Sequence, residues 1–342
     1  MLAYIVPGLT QQTENAATDA LFYLLRRYPV ASQAFMTYVS NLGVHLPDNL
    51  HIDKQRGQGH AIPDLVGIDE DKQCVLMVEL KFWATLTSNQ PLTYLHHLAA
   101  EKKSMLLFVA PLSRFPTLWR ELIHQCIKNS PSIDREIAQS PECYVAEVES
   151  GKLLGLVSWE SLLTHLRKAL ENNGMIDGAY EVWQLQGLCD RLDAEGFHPL
   201  QAKDLQSSAD LEIEKYHRLV DDIVKILIKK GHASTEEYSA TPGTGFYKRY
   251  MTLHGYKNWC VECNQTYWSN FGSTPIWLTL YIRSKAQAKE KSNSIKEKSR
   301  NRVFVDKNYI LIPLELALGV EQEYVINHLV RQIEDVIPFL GD

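Results

Sequence analysis

The eleven residues QCVLMVELKFW, positions 73–83, constrain this chain more than any other segment. The run is apolar over most of its length and follows a turn-like Asp69-Glu70-Asp71-Lys72. It reads as a strand covered on both faces, hence central in a sheet. Two charges interrupt it. Glu79 and Lys81 are spaced i, i+2, so both side chains leave the same face, while Val78, Leu80 and Phe82 point to the other. Burying either charge alone would cost several kcal/mol. The chain must therefore build a covered sheet and bring the two charges together at its rim.

The elements around this strand fit a mixed α/β layer fold. Two helices open the chain, Thr13 to Arg27 and about Ala31 to Asn41, divided by Pro29. LHIDKQRGQG and AIPDLVGID read as strands, Gln90 to Ala100 as a helix with Pro91 in its first turn, and SMLLFVAP as a buried strand. A helix over Phe115 to Lys128, a hairpin around Ser150-Gly151 and a helix over Glu160 to Leu170 complete an αα-βββ-α-β-α-ββ-α order. Residues 1–172 are expected as one domain, 173–207 as a helical linker and 208–342 as an α+β domain with aromatic strands.

The 342 residues suffice for two cores. Apolar residues at 45% and charged residues at 22% exclude wholesale disorder and fibrous repeats. No apolar run is long enough to span a membrane and the N-terminus lacks a secretory pattern, so a cytoplasmic protein with no membrane partner is expected. The six cysteines suit reduced thiols. Cys260-Val261-Glu262-Cys263 has no second pair to complete a zinc site, and packing cysteines are expected there.

The Asp69–Lys72 turn should pair the two strands as a hairpin, so that Asp64 converges with Glu79 and Lys81. Two carboxylates that close repel unless one is protonated or a cation lies between them. Oxygen ligands suit a hard cation, Mg²⁺ or Mn²⁺, which retains waters and accepts phosphate oxygens. Such an ion activates water and offsets charge on phosphorus oxygens, with Lys81 placed to orient the attacking water.

Pro63-Asp64 followed by Glu79-Leu80-Lys81 resembles the PD-(D/E)xK nuclease superfamily. The α-β-β-β-α-β order is similar to that family's restriction-endonuclease-like core, and Gln90 with Tyr94 resembles the Q-x-x-x-Y of its RecB-like branch. The resemblance covers about the first half of the chain and implies a Mg²⁺-dependent nuclease. Asp64 and Glu79 would hold the metal, Glu14 would assist from the first helix, Lys81 would complete the catalytic set, and Gln90 and Tyr94 would line a substrate channel. DNA is the implied polymer, in a setting such as prokaryotic antiviral defence or restriction. A homodimer or a defence-complex partner is compatible with this. The alternatives are an RNA-directed nuclease and a nuclease-like scaffold that binds nucleic acid without cutting. No cysteine group flanks the motif, so an iron–sulfur cluster is not expected.

Charge is unevenly spread. Between Tyr281 and Arg302 eight Lys and Arg face two Glu, a net +6 in a chain whose total is −6. The segment reads as a solvated loop or helix and, in its functional reading, as a phosphate-contacting arm with Lys285, Lys289 and Lys291. TPGTGFYKRY lacks the spacing of a phosphate-binding loop, but Lys248 and Arg249 are further candidates for backbone contact. The neighbouring aromatics read as mostly core, with one or two exposed rings able to stack on bases.

Overall fold

The computed structural model describes the chain except residues 1, 3–4, 7–9, 11–12, 48, 55–62, 88–89, 130–132, 149–150, 206–212, 237, 299–301 and 340–342. The chain divides into two units, Met1–His198 and Pro199–Asp342.

In the first unit, helices α1 (Thr13–Arg27) and α2 (Pro29–Ser40) precede strands β1 (His51–Lys54), β2 (Leu65–Ile68) and β3 (Cys74–Leu80). Then come α3 (Leu92–His97), β4 (Ser104–Ala110), α4 (Phe115–Asn129), β5 (Ile133–Ser140), β6 (Cys143–Val148), β7 (Lys152–Ser158), α5 (Trp159–Asn172) and α6 (Ile176–Ala194). The sheet order is β1-β2-β3-β4-β7-β6-β5. Its centre, β3-β4-β7, is parallel, and the flanking pairs are antiparallel. Central strands buried on both faces need continuous apolar sequence. SMLLFVA and KLLGLVS supply it, with every residue of both strands buried.

Two cores cover the two faces. Leu76, Val78, Leu80, Leu107 and Val109 pack with α1, α2, α5 and α6. Met77, Leu106 and Phe108 pack with α3 and α4. Helix α6 contributes Ala179, Val182, Leu185 and Leu188 to the first core. The expected linker helix is thus integral to the first unit, and the division falls at His198/Pro199 rather than near 172 and 207. Strand β5 was not expected. Its sequence, IDREIAQS, is polar, as suits the edge position it occupies.

The second unit carries α7 (Ile213–Lys229), β8 (Ala233–Ser234), β9 (Ala240–Gly243), β10 (Phe246–Leu253), β11 (Tyr256–Asn264) and α8 (Gln265–Phe271). Strand β12 (Ile276–Tyr281), α9 (Lys285–Lys298), β13 (Phe304–Asp306), β14 (Tyr309–Pro313) and α10 (Gln322–Glu334) follow. Its antiparallel sheet runs β13-β14-β12-β11-β10-β8, with β9 also on β10. Gln265-Thr266-Tyr267-Trp268 is helical, although its aromatic residues suit a strand equally well. Asn264 ends β11 and caps α8, its side chain accepting from the Tyr267 N–H at 3.1 Å. Gly245, at φ +77°, makes the TPGTG segment a hairpin turn between β9 and β10. Cys260 and Cys263 are buried thiols, as packing cysteines would be. No described helix is long and apolar enough to cross a membrane.

Candidate active site

The β2–β3 hairpin assembles the site. Its register pairs Leu65 with Val78, so Asp64, one residue earlier, falls opposite Glu79. The Asp64 Oδ2 accepts from the Leu80 N–H at 2.7 Å, which fixes its carboxylate against the end of β3. Glu79 and Lys81 share a face, and Lys81 Nζ lies 3.1 Å from Glu79 Oε1. Both side chains are buried, yet paired with each other at the strand end. The backbone around Lys81 is held independently of its side chain. Its N–H donates to the Val109 carbonyl at 2.8 Å, and the Trp159 indole donates to its carbonyl at 3.3 Å.

Gln90 donates to Glu79 Oε1 at 2.6 Å and reaches the Tyr94 hydroxyl at 3.2 Å. Its own carbonyl oxygen accepts from the Thr87 N–H at 3.1 Å. Gln90 and Tyr94 are both buried. These two residues sit behind Glu79 and orient it. Glu14 differs from its expected place. Its carboxylate accepts from the Trp83 N–H at 3.2 Å, two residues past Lys81. It is near enough to raise the Asp64 pKa but is occupied at the strand end. Among the described residues no three His, Cys, Asp or Glu groups converge as a metal cluster, so Glu14 does not complete a triad with Asp64 and Glu79.

Electrostatics follow from this burial. Glu79 is pushed up to about 7, first by burial and then by Asp64, with Lys81 and Gln90 opposing. Asp64 is raised by burial, with the Leu80 N–H and Lys81 opposing. Burial raises the Tyr94 phenol, and the Glu79 charge adds to it. One atom stands out: Glu79 Oε2 is buried and has no hydrogen-bond partner among the described residues. An orphaned carboxylate oxygen beside a second carboxylate fits a hard cation, and Mg²⁺ is commonly held by one or two carboxylates plus water. Asp64 and Glu79 are the residues that would hold it.

Sequence reasoning missed Arg114. It is fully buried, donates to the Phe82 carbonyl at 2.6 Å and lies 5.9 Å from the Trp83 ring. It thereby fixes the chain just beyond Lys81. Only its place beside a buried strand–helix junction could have hinted at this. Arg114→Ala should lower stability by about 2–4 kcal/mol, through a cavity and an abandoned carbonyl, measured by urea unfolding. Trp83 is locked further by its indole N–H on Asp193 at 3.2 Å. A Cβ at Gly196 would stand 1.7 Å from the Trp83 ring, so glycine is needed there for space.

The other expected contacts lie in the second unit. Lys248 pairs with the buried Glu262 at 3.0 Å, and Arg249 pairs with Asp221 at 2.7 Å. Both are corrected from backbone-contacting residues to internal ion-pair partners: alternation on β10 turns each toward an acid of its own unit. Lys285 and Lys289 are exposed on α9, and Lys291 is half-buried, 5.9 Å from the Tyr256 ring centroid. Comparison with known proteins found no matching family model, no matching curated protein and no matching solved structure.

Proposed function

We propose that the first unit is a divalent-metal-dependent phosphodiesterase acting on nucleic acid, with Asp64, Glu79 and Lys81 as its working groups. The observation that carries this reading is a buried and a half-buried carboxylate side by side with an adjacent lysine, in which Glu79 Oε2 has no hydrogen-bond partner among the described residues. A bound Mg²⁺ or Mn²⁺ would supply an acidified water and charge compensation at phosphorus. The chain's own groups do the positioning. The Leu80 N–H holds Asp64, Gln90 holds Glu79, and Lys81 bridges from Glu79 toward the place where an attacking water and a phosphoryl oxygen would meet. DNA is the polymer of choice, following the motif resemblance, and prokaryotic antiviral defence or restriction is the corresponding setting. Cutting both strands of a duplex would call for two sites and so for a homodimer.

A second reading has one observation in its favour. Glu79 and Lys81 are only 6% and 7% exposed, which also suits a closed scaffold that binds without cutting. Parallel assays on single- and double-stranded DNA and RNA, with Mg²⁺, with Mn²⁺ and with EDTA, separate the two. Products that form only with metal are expected. Absence of cleavage on all four polymers, together with no Mn²⁺ binding, would favour the scaffold.

A further inference from the structure

One end of the second sheet combines aromatic rings with exposed positive charge. Register places Tyr281 of β12 opposite Tyr309 of β14, so the two side chains share a face. Their rings lie 5.3 Å apart, and Tyr281 is 40% exposed. Tyr309 is underpinned from within. Lys248 Nζ sits 5.8 Å from its ring centroid and is anchored on Glu262, which is fully buried. Thr279 and Asn264 each donate to Glu262 at 2.8 Å, so the anchor is rigid. This gives the half-buried lysine a role that its motif did not suggest: it props a tyrosine rather than meeting a phosphate.

The start of α9 is tied to the same end. The Ile282 N–H donates to the Asn308 carbonyl at 2.9 Å, and the Asn308 side chain donates to the Arg283 carbonyl at 3.1 Å. These bonds bring Arg283 and Lys285 beside the β13–β14 turn that carries Lys307. Arg283, Lys285, Lys289 and Lys307 are all exposed. The acids nearby are Asp306, opposite Tyr309 on the sheet edge, and Glu290, exposed on α9 beside Lys289. The +6 segment in an otherwise acidic chain is complementary to a polyanion, and the tyrosine pair selects among polyanions. Stacking requires bases that are not already stacked in a duplex.

We propose that this end of the second sheet binds single-stranded nucleic acid, bases stacking on Tyr281 and Tyr309 and phosphates meeting Arg283, Lys285, Lys289 and Lys307. The proposal deepens the nuclease reading by naming the strand state of its polymer, and it rests on that reading only for the choice of nucleic acid.

Binding is measured in EDTA on the full chain, so cleavage plays no part. The probes are fluorescent oligo-dT, oligo-U and a duplex of equal length. Single strands should bind more tightly than duplex, and the preferred sugar identifies the polymer. Tyr281→Leu with Tyr309→Leu should weaken single-strand binding at least roughly tenfold, with Tyr281→Phe restoring its share. Since buried rings support Tyr309, a variant at the exposed positions alone is the second arm. Lys285→Gln with Lys289→Gln should reduce the salt slope by about 1.4, the equivalent of two phosphate contacts. Unchanged affinity in the leucine pair, an unchanged slope in the glutamine pair, or duplex bound as tightly as single strands would each overturn the proposal. Metal-dependent cleavage persisting alongside such a failure would leave the nuclease reading intact. Single-strand binding without any cleavage would do the reverse.

Discussion

Lys81→Met should lose metal-dependent cleavage by roughly 10²–10³-fold, the scale of removing one preorganised donor from a site where charge develops. Methionine keeps the length and bulk of the lysine stem, and the Lys81 backbone is held by Val109 and the Trp159 indole whatever the side chain. The fold should therefore survive, with unchanged circular dichroism. The electrostatic consequence is local. Lys81 is the principal group holding down the Glu79 pKa, so its removal should push that carboxyl higher still and weaken metal retention. Raising Mg²⁺ should recover a metal-binding loss but not the loss of water positioning. Full activity of Lys81→Met at saturating Mg²⁺ would remove the lysine from the mechanism.

Stability should depend on pH in an unusual direction for a carboxylate. In the folded chain Glu79 titrates near 7, against an ordinary value of 4.5. Between those values the folded state binds more protons than the unfolded one, so stability falls as pH rises from about 4.5 to about 7 and levels off above. Asp64, also raised, contributes with the same sign. The loss attributable to Glu79 is about 1–3 kcal/mol. Glu79→Gln should abolish most of this slope and be more stable than the parent at pH 8. A divalent cation offers the parent another way out. At pH 8 Mg²⁺ at about a hundred times its Kd should add about 2.7 kcal/mol, a shift of about 5–10 °C in the first unit's melting transition. Glu79→Gln should show little of that shift. A parent protein whose melting ignores both Mg²⁺ and Mn²⁺ at pH 8 would sink the metal site without reference to any substrate.

Central strands announced themselves because a parallel strand with both faces covered must be apolar throughout, as SMLLFVA and KLLGLVS are. Strand β5 did not, since an edge position asks for polar residues that read as loop. The helix beginning at Gln265 was hidden by aromatic residues that suit strands equally well, and its cap became legible only once Asn264 was seen to end β11.

At the site, spacing along one strand and across one hairpin determined that Asp64, Glu79 and Lys81 would meet, because alternation and register are local properties of the chain. What only the tertiary structure decided is how those groups are held. Gln90 and Tyr94 turn inward onto Glu79, Glu14 is taken up by the Trp83 N–H, and Arg114 pins Phe82 from a distant helix start. Lys248 and Arg249, adjacent in sequence, point to opposite sheet faces and find acids contributed by β11 and α7. Partners of this kind come from elements far apart in the chain. Where burial is complete, as at Glu262, a partner is obligatory, since an unpaired polar group inside costs more than any local preference supplies, but which element provides it is fixed only when the sheet and its helices have packed.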